Sequence, residues 1–225
     1  MKGLFGDQET YDCMLTRNRP KNPHTVTLTD LETGGLNQRV HYPIQLAAIK
    51  LVHSDDPYEL QVDCTLEYKL KLPDGYTVPA EAARLNGYSD EVWAKSAVDR
   101  IGAYKEYLGK LAWSCFGGQN PAFDHKFLDE DFLRLGLEWP RLSYYGLVSV
   151  DTMARQLRLQ GYIENLKQET LCRLFKLGGQ THDALDDILQ CAEIYRRLLW
   201  LECLGFTDTN IQTAVDMPSE LYTKK

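Results

Sequence analysis

Three strand-like runs follow one another between His24 and Leu70: "HTVTLTD", "IQLAAIKLVH" and "ELQVDCTLEYKL", the last with clear apolar alternation. Side chains on a strand alternate between two faces, so alternation over runs of this length reads as strand. A Pro-Asp-Gly turn, Pro73 to Gly75, closes the third run. Consecutive strands joined by short links predict an antiparallel meander.

After the meander the pattern turns helical. Residues 78–110 carry apolar residues at helical spacing, interrupted near Asn86 and Gly87. "LAWSCFGG" (111–118) is a compact apolar run before glycines and reads as a buried strand. "PAFDHKFLDEDFLRLG" predicts an amphipathic helix that starts at Pro121 and stops at Gly136. "YGLVSVDT" (145–152) is a further strand. Helices are then predicted around Asp151 to Gln160, over "NLKQETLCRLFKLG" and over "THDALDDILQCAEIYRRLLWLE". The order predicts an α/β fold, a mixed sheet with helices on both faces and its fourth strand parallel to its first. Residues 25–204 form the expected domain. Residues 1–24, with the extended and basic "RNRPKNP", are expected as an irregular tail, and residues 205–225 as a loose one.

Composition narrows the function. No stretch reaches the ~20 apolar residues of a membrane helix, and the first residues lack the apolar core of a signal peptide. A cytoplasmic protein without a membrane role is the expectation. Cys13, Cys64, Cys115, Cys172, Cys191 and Cys203 are scattered without a CxxC pair, which reads as reduced thiols. The formal net charge is −7. Proteins that hold long nucleic acid through many phosphates are usually basic. If this chain meets nucleic acid, it touches a few nucleotides and lets a metal supply the positive charge.

Three constellations carry chemistry. Asp30 and Glu32 close the first strand on one face, where two carboxylates are costly without a shared cation. Gly34 and Gly35 follow, and a bare backbone turn admits close approach of a ligand. Asp124 stands in the first turn of the helix after "LAWSCFGG". In "THDALDDILQ", His182 lies four residues before Asp186 and five before Asp187. Each has a plain structural reading: solvated acids at a strand end, an acid favoured by a helix dipole, a capped acidic helix start. Thr181 is the candidate cap there, with Asp183 a capping or solvated acid. His125 is read as structural or solvent-exposed, and Asp151 is assigned to a turn and not to a metal.

Together the pieces resemble the three motifs of the DnaQ-like (DEDDh) 3′–5′ exonucleases. Asp30, Glu32, Thr33, Gly35 and Leu36 match the first; Asn120, Phe123 and Asp124 the second; His182, Ala184 and Asp187 the third. "LNGYSDE" (85–91) is similar to the family's segment after the third strand, and the likeness runs from about Thr25 to Leu199. Gly34 departs from the pattern, where threonine or another small residue is commoner. The resemblance implies a ribonuclease H-like mixed five-stranded sheet flanked by helices. It implies that Asp30, Glu32, Asp124 and Asp187 hold two divalent cations, Mg²⁺ or Mn²⁺, and that His182 takes the proton of the attacking water. Thr33, Gly34, Gly35, Leu36, Asn120 and Phe123 would contact the strand end. The substrate implied is the 3′ end of single-stranded nucleic acid, with DNA preferred. An exoribonuclease similar to oligoribonuclease or RNase T is the alternative, and a non-catalytic binding or scaffold subunit the second. The family also admits a polymerase or other replication or repair partner, and a homodimer.

Overall fold

A computed structural model of the chain describes residues 25–54, 59–111, 114–137 and 147–222. The expected N-terminal tail, Cys13 and the start of the fifth predicted strand lie outside the described residues. Strand β1 (Thr25–Thr33) pairs antiparallel with β2 (Pro43–His53), and β2 pairs antiparallel with β3 (Leu60–Lys69). On its other edge β1 is joined in parallel by β4 (Cys115–Gly118), and β4 by β5 (Val148–Ser149). The sheet order is β3-β2-β1-β4-β5. This is the meander and the parallel fourth strand expected from the sequence, in a mixed five-stranded sheet.

Between β3 and β4 lie helices α1 (Ala80–Asn86), α2 (Asp90–Ser96) and α3 (Arg100–Leu111). Helix α4 (Pro121–Arg134) follows β4 and has Pro121 in its first turn, where the missing N–H costs no helical hydrogen bond. Short helices α5 (Val150–Met153), α6 (Arg155–Leu159) and α7 (Gln168–Leu174) lead to the long α8 (Ala184–Leu204).

The two faces of the sheet bury different halves of the chain. Val26 and Leu28 of β1, with Ala47, Ile49 and Leu51 of β2, pack with Ile188, Cys191, Ile194 and Leu198 of α8. Residues of opposite parity, Leu31, Leu46 and Ala48, pack with Tyr104, Tyr107 and Leu108 of α3 and Phe127, Leu128 and Phe132 of α4. Strand β2 is covered on both sides, which is why "IQLAAI" reads as almost unbroken apolar sequence. Each fully buried Leu or Ile contributes about 1.5–3 kcal/mol relative to exposure. No helix among the described residues is long and apolar enough to cross a membrane.

The expected loose tail is not what the chain forms after Gly205. Helix α9 (Asp208–Asp216) starts at Thr207, whose hydroxyl accepts from the Asn210 N–H. Ile211, Ala214 and Tyr222 are buried in the α8-side core. The cause is a buried ion network. Arg197, 2% exposed, donates to the carbonyls of Phe175 (2.8 Å), Ala214 (3.2 Å) and Met217 (3.0 Å). Glu193 pairs with Arg196 and Arg197 and accepts from the N–H groups of Glu220 and Leu221. Burial alone would raise the Glu193 carboxyl, but the two guanidinium groups outweigh it and hold it below the usual range.

Candidate active site

The carboxylates meet at the C-terminal end of β1, between an antiparallel neighbour and a parallel one. At such a point the connections leave in opposite directions and a crevice opens. Asp30 and Glu32 share parity with Val26 and Leu28, so they continue the face that packs on α8. Asp124 is buried in the first turn of α4. Its Oδ1 accepts the Leu31 N–H at 3.1 Å, which ties α4 to the strand between the two acids. Asp187, 1% exposed in the first turn of α8, accepts from the Thr181 N–H (3.1 Å) and from Gln180 Nε2 (3.0 Å).

His182 stands just before α8. Its φ is 56°, in the left-handed region that non-glycine residues seldom occupy. The Thr181 hydroxyl also reaches Asp187 (3.4 Å), and the helix cap is instead Asp183, which accepts the Asp186 N–H at 3.2 Å. The second Asp183 oxygen accepts from Gln45 Nε2 of β2 at 3.2 Å. The exposed His182 ring, the Glu32 carboxylate and the Asp187 carboxylate each offer a ligand atom, and these lie within 4.8 Å of one another. The sequence-singled Asp186 is the half-buried residue between the cap and Asp187.

The charge at this point is uncompensated. Burial pushes Asp30 well above the usual carboxylate range, and Asp124, Glu32, Asp187 and Asp183 push it further. Burial first, then Asp187, Asp183 and Asp124, pushes Glu32 up to about 8. Burial pushes Asp124 up to about 7, against the pull of the Leu31 N–H. Asp187 is raised by burial, with its N–H and amide donors holding it back. Oxygen-only acids that repel one another fit hard divalent cations, which favour carboxylate oxygens.

A cavity of about 960 Å³ opens on these groups. Asp30, Glu32, Asp124 and His182 line it, with Thr33, Gly34, Gly35, Leu36, Asn120 and Phe123, so the sequence-selected residues other than Asp187 share one wall or another. Asp187 is not part of that lining, but its carboxylate lies within 4.8 Å of ligand atoms of His182 and Glu32. Leu36 is 85% exposed and Phe123 is half-buried against Phe127, at 4.9 Å between ring centroids. Asn120 precedes α4 but makes no side-chain capping bond. The Thr33 hydroxyl donates to the Gly35 carbonyl at 2.9 Å, fixing the turn. His125 packs edge-on to Phe116 and burial lowers its pKa, in keeping with a structural part. Asp151 also lines the cavity and accepts from the hydroxyls of Ser149 and Thr152.

Sequence reading missed His41, Lys167, Gln168 and Gln180, which also line the cavity. Gln180 has a local signal, being next to the "THD" run. His41 has none, because it is drawn in by chain reversal: the Gly34 N–H donates to the Tyr42 carbonyl at 2.9 Å.

A family model described as exonuclease matches residues 27–195. No curated protein matches the chain in sequence. Solved structures of similar fold include an exonuclease I from Methylocaldum szegediense, at 20% identity and a TM-score of 0.64, over 84% of this chain and 42% of that one. Exonuclease I of E. coli, in complex with a dT13 oligonucleotide, aligns at 21% identity and a TM-score of 0.61, over 76% and 40%. The nuclease domain of 3′hExo, a DEDDh family member bound to rAMP, aligns at 16% identity and a TM-score of 0.60, over 78% and 92%. The chain thus spans about two fifths of the exonuclease I chains it matches.

Proposed function

Because the chain belongs to the exonuclease family, we infer that it hydrolyses phosphodiester bonds at the 3′ end of single-stranded nucleic acid and releases nucleoside 5′-monophosphates. The observation that carries this reading is the convergence of acids from three distant parts of the chain: Asp30, Glu32, Asp124 and His182 line one cavity, and the Asp187 carboxylate lies within 4.8 Å of ligand atoms of Glu32 and His182. All four acids are raised by burial or mutual repulsion.

Asp30, Glu32, Asp124 and Asp187 would hold two divalent cations, Mg²⁺ or Mn²⁺. When bound, such a pair supplies the positive charge that stabilises the attacking and leaving oxygens of the displacement. Hard cations prefer the carboxylate oxygens, which leaves the exposed His182 to accept the proton of the attacking water. Asp187, beside that ring, stabilises the imidazolium that forms. Leu36 and Phe123 give the terminal bases an apolar surface, and stacking of that kind tolerates any sequence. Asn120 offers an amide to the strand. A site that grips only the last nucleotides needs little basic surface, in accord with a net charge of −7. DNA ends, the expectation from sequence, and RNA ends both suit these contacts. A preference between them requires a group that senses the 2′-hydroxyl.

The test is digestion of 5′-labelled single strands, DNA and RNA side by side, with Mg²⁺, with Mn²⁺ and with EDTA, alongside Asp30→Ala. A metal-dependent ladder shortening from the 3′ end in the parent protein alone is the expected result. No shortening of either strand under any metal overturns the catalytic reading and favours a binding or scaffold role.

A further inference from the structure

Gly34 and Gly35 form a turn whose outer face is filled by other parts of the chain. A Cβ at Gly34 would stand 2.2 Å from the Tyr76 hydroxyl oxygen, and one at Gly35 2.5 Å from the His41 ring. At residue 34, where the resembled motif more often carries threonine or another small residue, the space beside the backbone is taken by the hydroxyl of a distant tyrosine.

His41 is held in place at three atoms. Its N–H donates to the Asn37 carbonyl at 2.9 Å, and its carbonyl accepts from Arg134 Nη1 at 2.9 Å. Its ring Nδ1 meets the Tyr76 hydroxyl at 3.2 Å. Tyr76 in turn packs edge-on to Tyr42 (4.8 Å), and the Arg134 and Arg100 guanidinium groups lie 4.3 and 5.0 Å from the Tyr42 ring centre. The result is an imidazole fixed over the Gly35 backbone on the cavity wall. Its Nε2 has no hydrogen-bond partner among the described residues.

Gly35 lies three residues beyond Glu32, within about 10 Å along the chain. The sugar is the part of a nucleotide bonded directly to the phosphate. With the attacked phosphate at the acids and the apolar residues Leu36 and Phe123 facing the base, the Gly34–Gly35 turn and His41 offer the sugar polar groups between Glu32 and Leu36, in a cavity that Asn37, Asn86, Asn120, Lys167, Gln168 and Gln180 also line.

We propose that His41 is the sugar-sensing residue of this site: its Nε2 hydrogen-bonds the 2′-hydroxyl of the terminal nucleotide and makes the enzyme prefer RNA ends. A site built around a hydroxyl rejects the analogue that lacks it, because its own polar group is then left without a partner. Tyr76 acts through His41 as a positioning residue. The inference rests on the exonuclease reading above.

The experiment compares kcat/KM on matched 5′-labelled RNA and DNA single strands for the parent protein, His41→Ala and Tyr76→Phe, with thermal melts as a check of folding. The parent is expected to favour RNA by about 10-fold or more. In His41→Ala that ratio falls towards one, through a rise in KM for RNA. Tyr76→Phe keeps the ring but frees it, and lowers the ratio by a smaller factor. A loss equal for RNA and DNA in both variants, or an unchanged ratio, overturns the proposal. If the parent shortens neither strand, the exonuclease reading has failed and calorimetry decides the sugar question. AMP bound more tightly than dAMP by the Mn²⁺-loaded parent, with the difference lost in His41→Ala, supports it; equal binding of AMP and dAMP by the parent overturns it.

Discussion

Replacing Glu32 by glutamine should make the metal-free protein more stable at alkaline pH, although it removes a group the reaction needs. Glu32 sits at about 8 in the fold, against an ordinary value near 4.5. In the unfolded chain the carboxyl loses its proton near 4.5; in the fold it keeps it until about 8. Between those values the folded state holds a proton that the unfolded state has released, so stability falls as pH rises through the window and levels off above about 8. At 1.36 kcal/mol per pH unit the full difference is roughly 5 kcal/mol. Glu32 is only half-buried, and solvent screening reduces this to about 2–4 kcal/mol. For a chain of this size that is a rise in Tm of about 5–10 °C for Glu32→Gln at pH 8.5 in EDTA. The two proteins should converge as pH approaches 4.5. Divalent cation should reverse the order at pH 8.5, because it stabilises only a site whose carboxylates are charged. Melting curves in EDTA at pH 5, 7 and 8.5, repeated with excess Mn²⁺, make the comparison. A Glu32→Gln protein no more stable than its parent at pH 8.5 in EDTA would falsify the claim that burial, with repulsion from Asp187, Asp183 and Asp124, leaves the Glu32 charge uncompensated.

His182→Ala should lower kcat by about 10²–10⁴-fold while Mn²⁺ affinity, read by calorimetry, changes far less; an equal loss of both would make His182 a ligand. Asp187→Asn keeps the shape but not the charge, and should abolish Mn²⁺ binding and strand shortening together. Leu36 is 85% exposed, so Leu36→Ala should raise KM for single strands and leave the melting temperature within about 1 °C, since surface changes move stability by about 0.5 kcal/mol or less. Arg197→Met leaves Glu193 short of a partner and strips donors from the Ala214 and Met217 carbonyls. It should cost about 3–5 kcal/mol in urea unfolding, with hydrogen exchange rising first in α9.

How much was legible follows from how local each cause is. Asp30 and Glu32 share a face because strand parity says so, and the fold keeps that parity. Pro121 marks its helix start for an equally local reason. Asp183 rather than Thr181 caps α8, a choice the segment alone leaves open, since either oxygen is of the right type. The sequence "TDTNIQTAVDMPSE" reads as a tail because it offers few apolar positions. It becomes α9 because Arg197 and Glu193, buried on α8, supply the partners its backbone lacks.

Local pattern was enough for the meander, the parallel crossover and the helix that carries Asp124, while the acids were grouped by the resemblance of three motifs to one family. Alternation, helical spacing and turn residues are properties of a few neighbouring residues, and they survive being read in one dimension. Only the tertiary structure decided what the acids feel, what closes the C-terminus and what surrounds the glycine turn. Charge repulsion depends on distance through space, as between Asp30 and Asp187. The placement of His41 depends on Tyr76 and Arg134, 35 and 93 residues further along the chain.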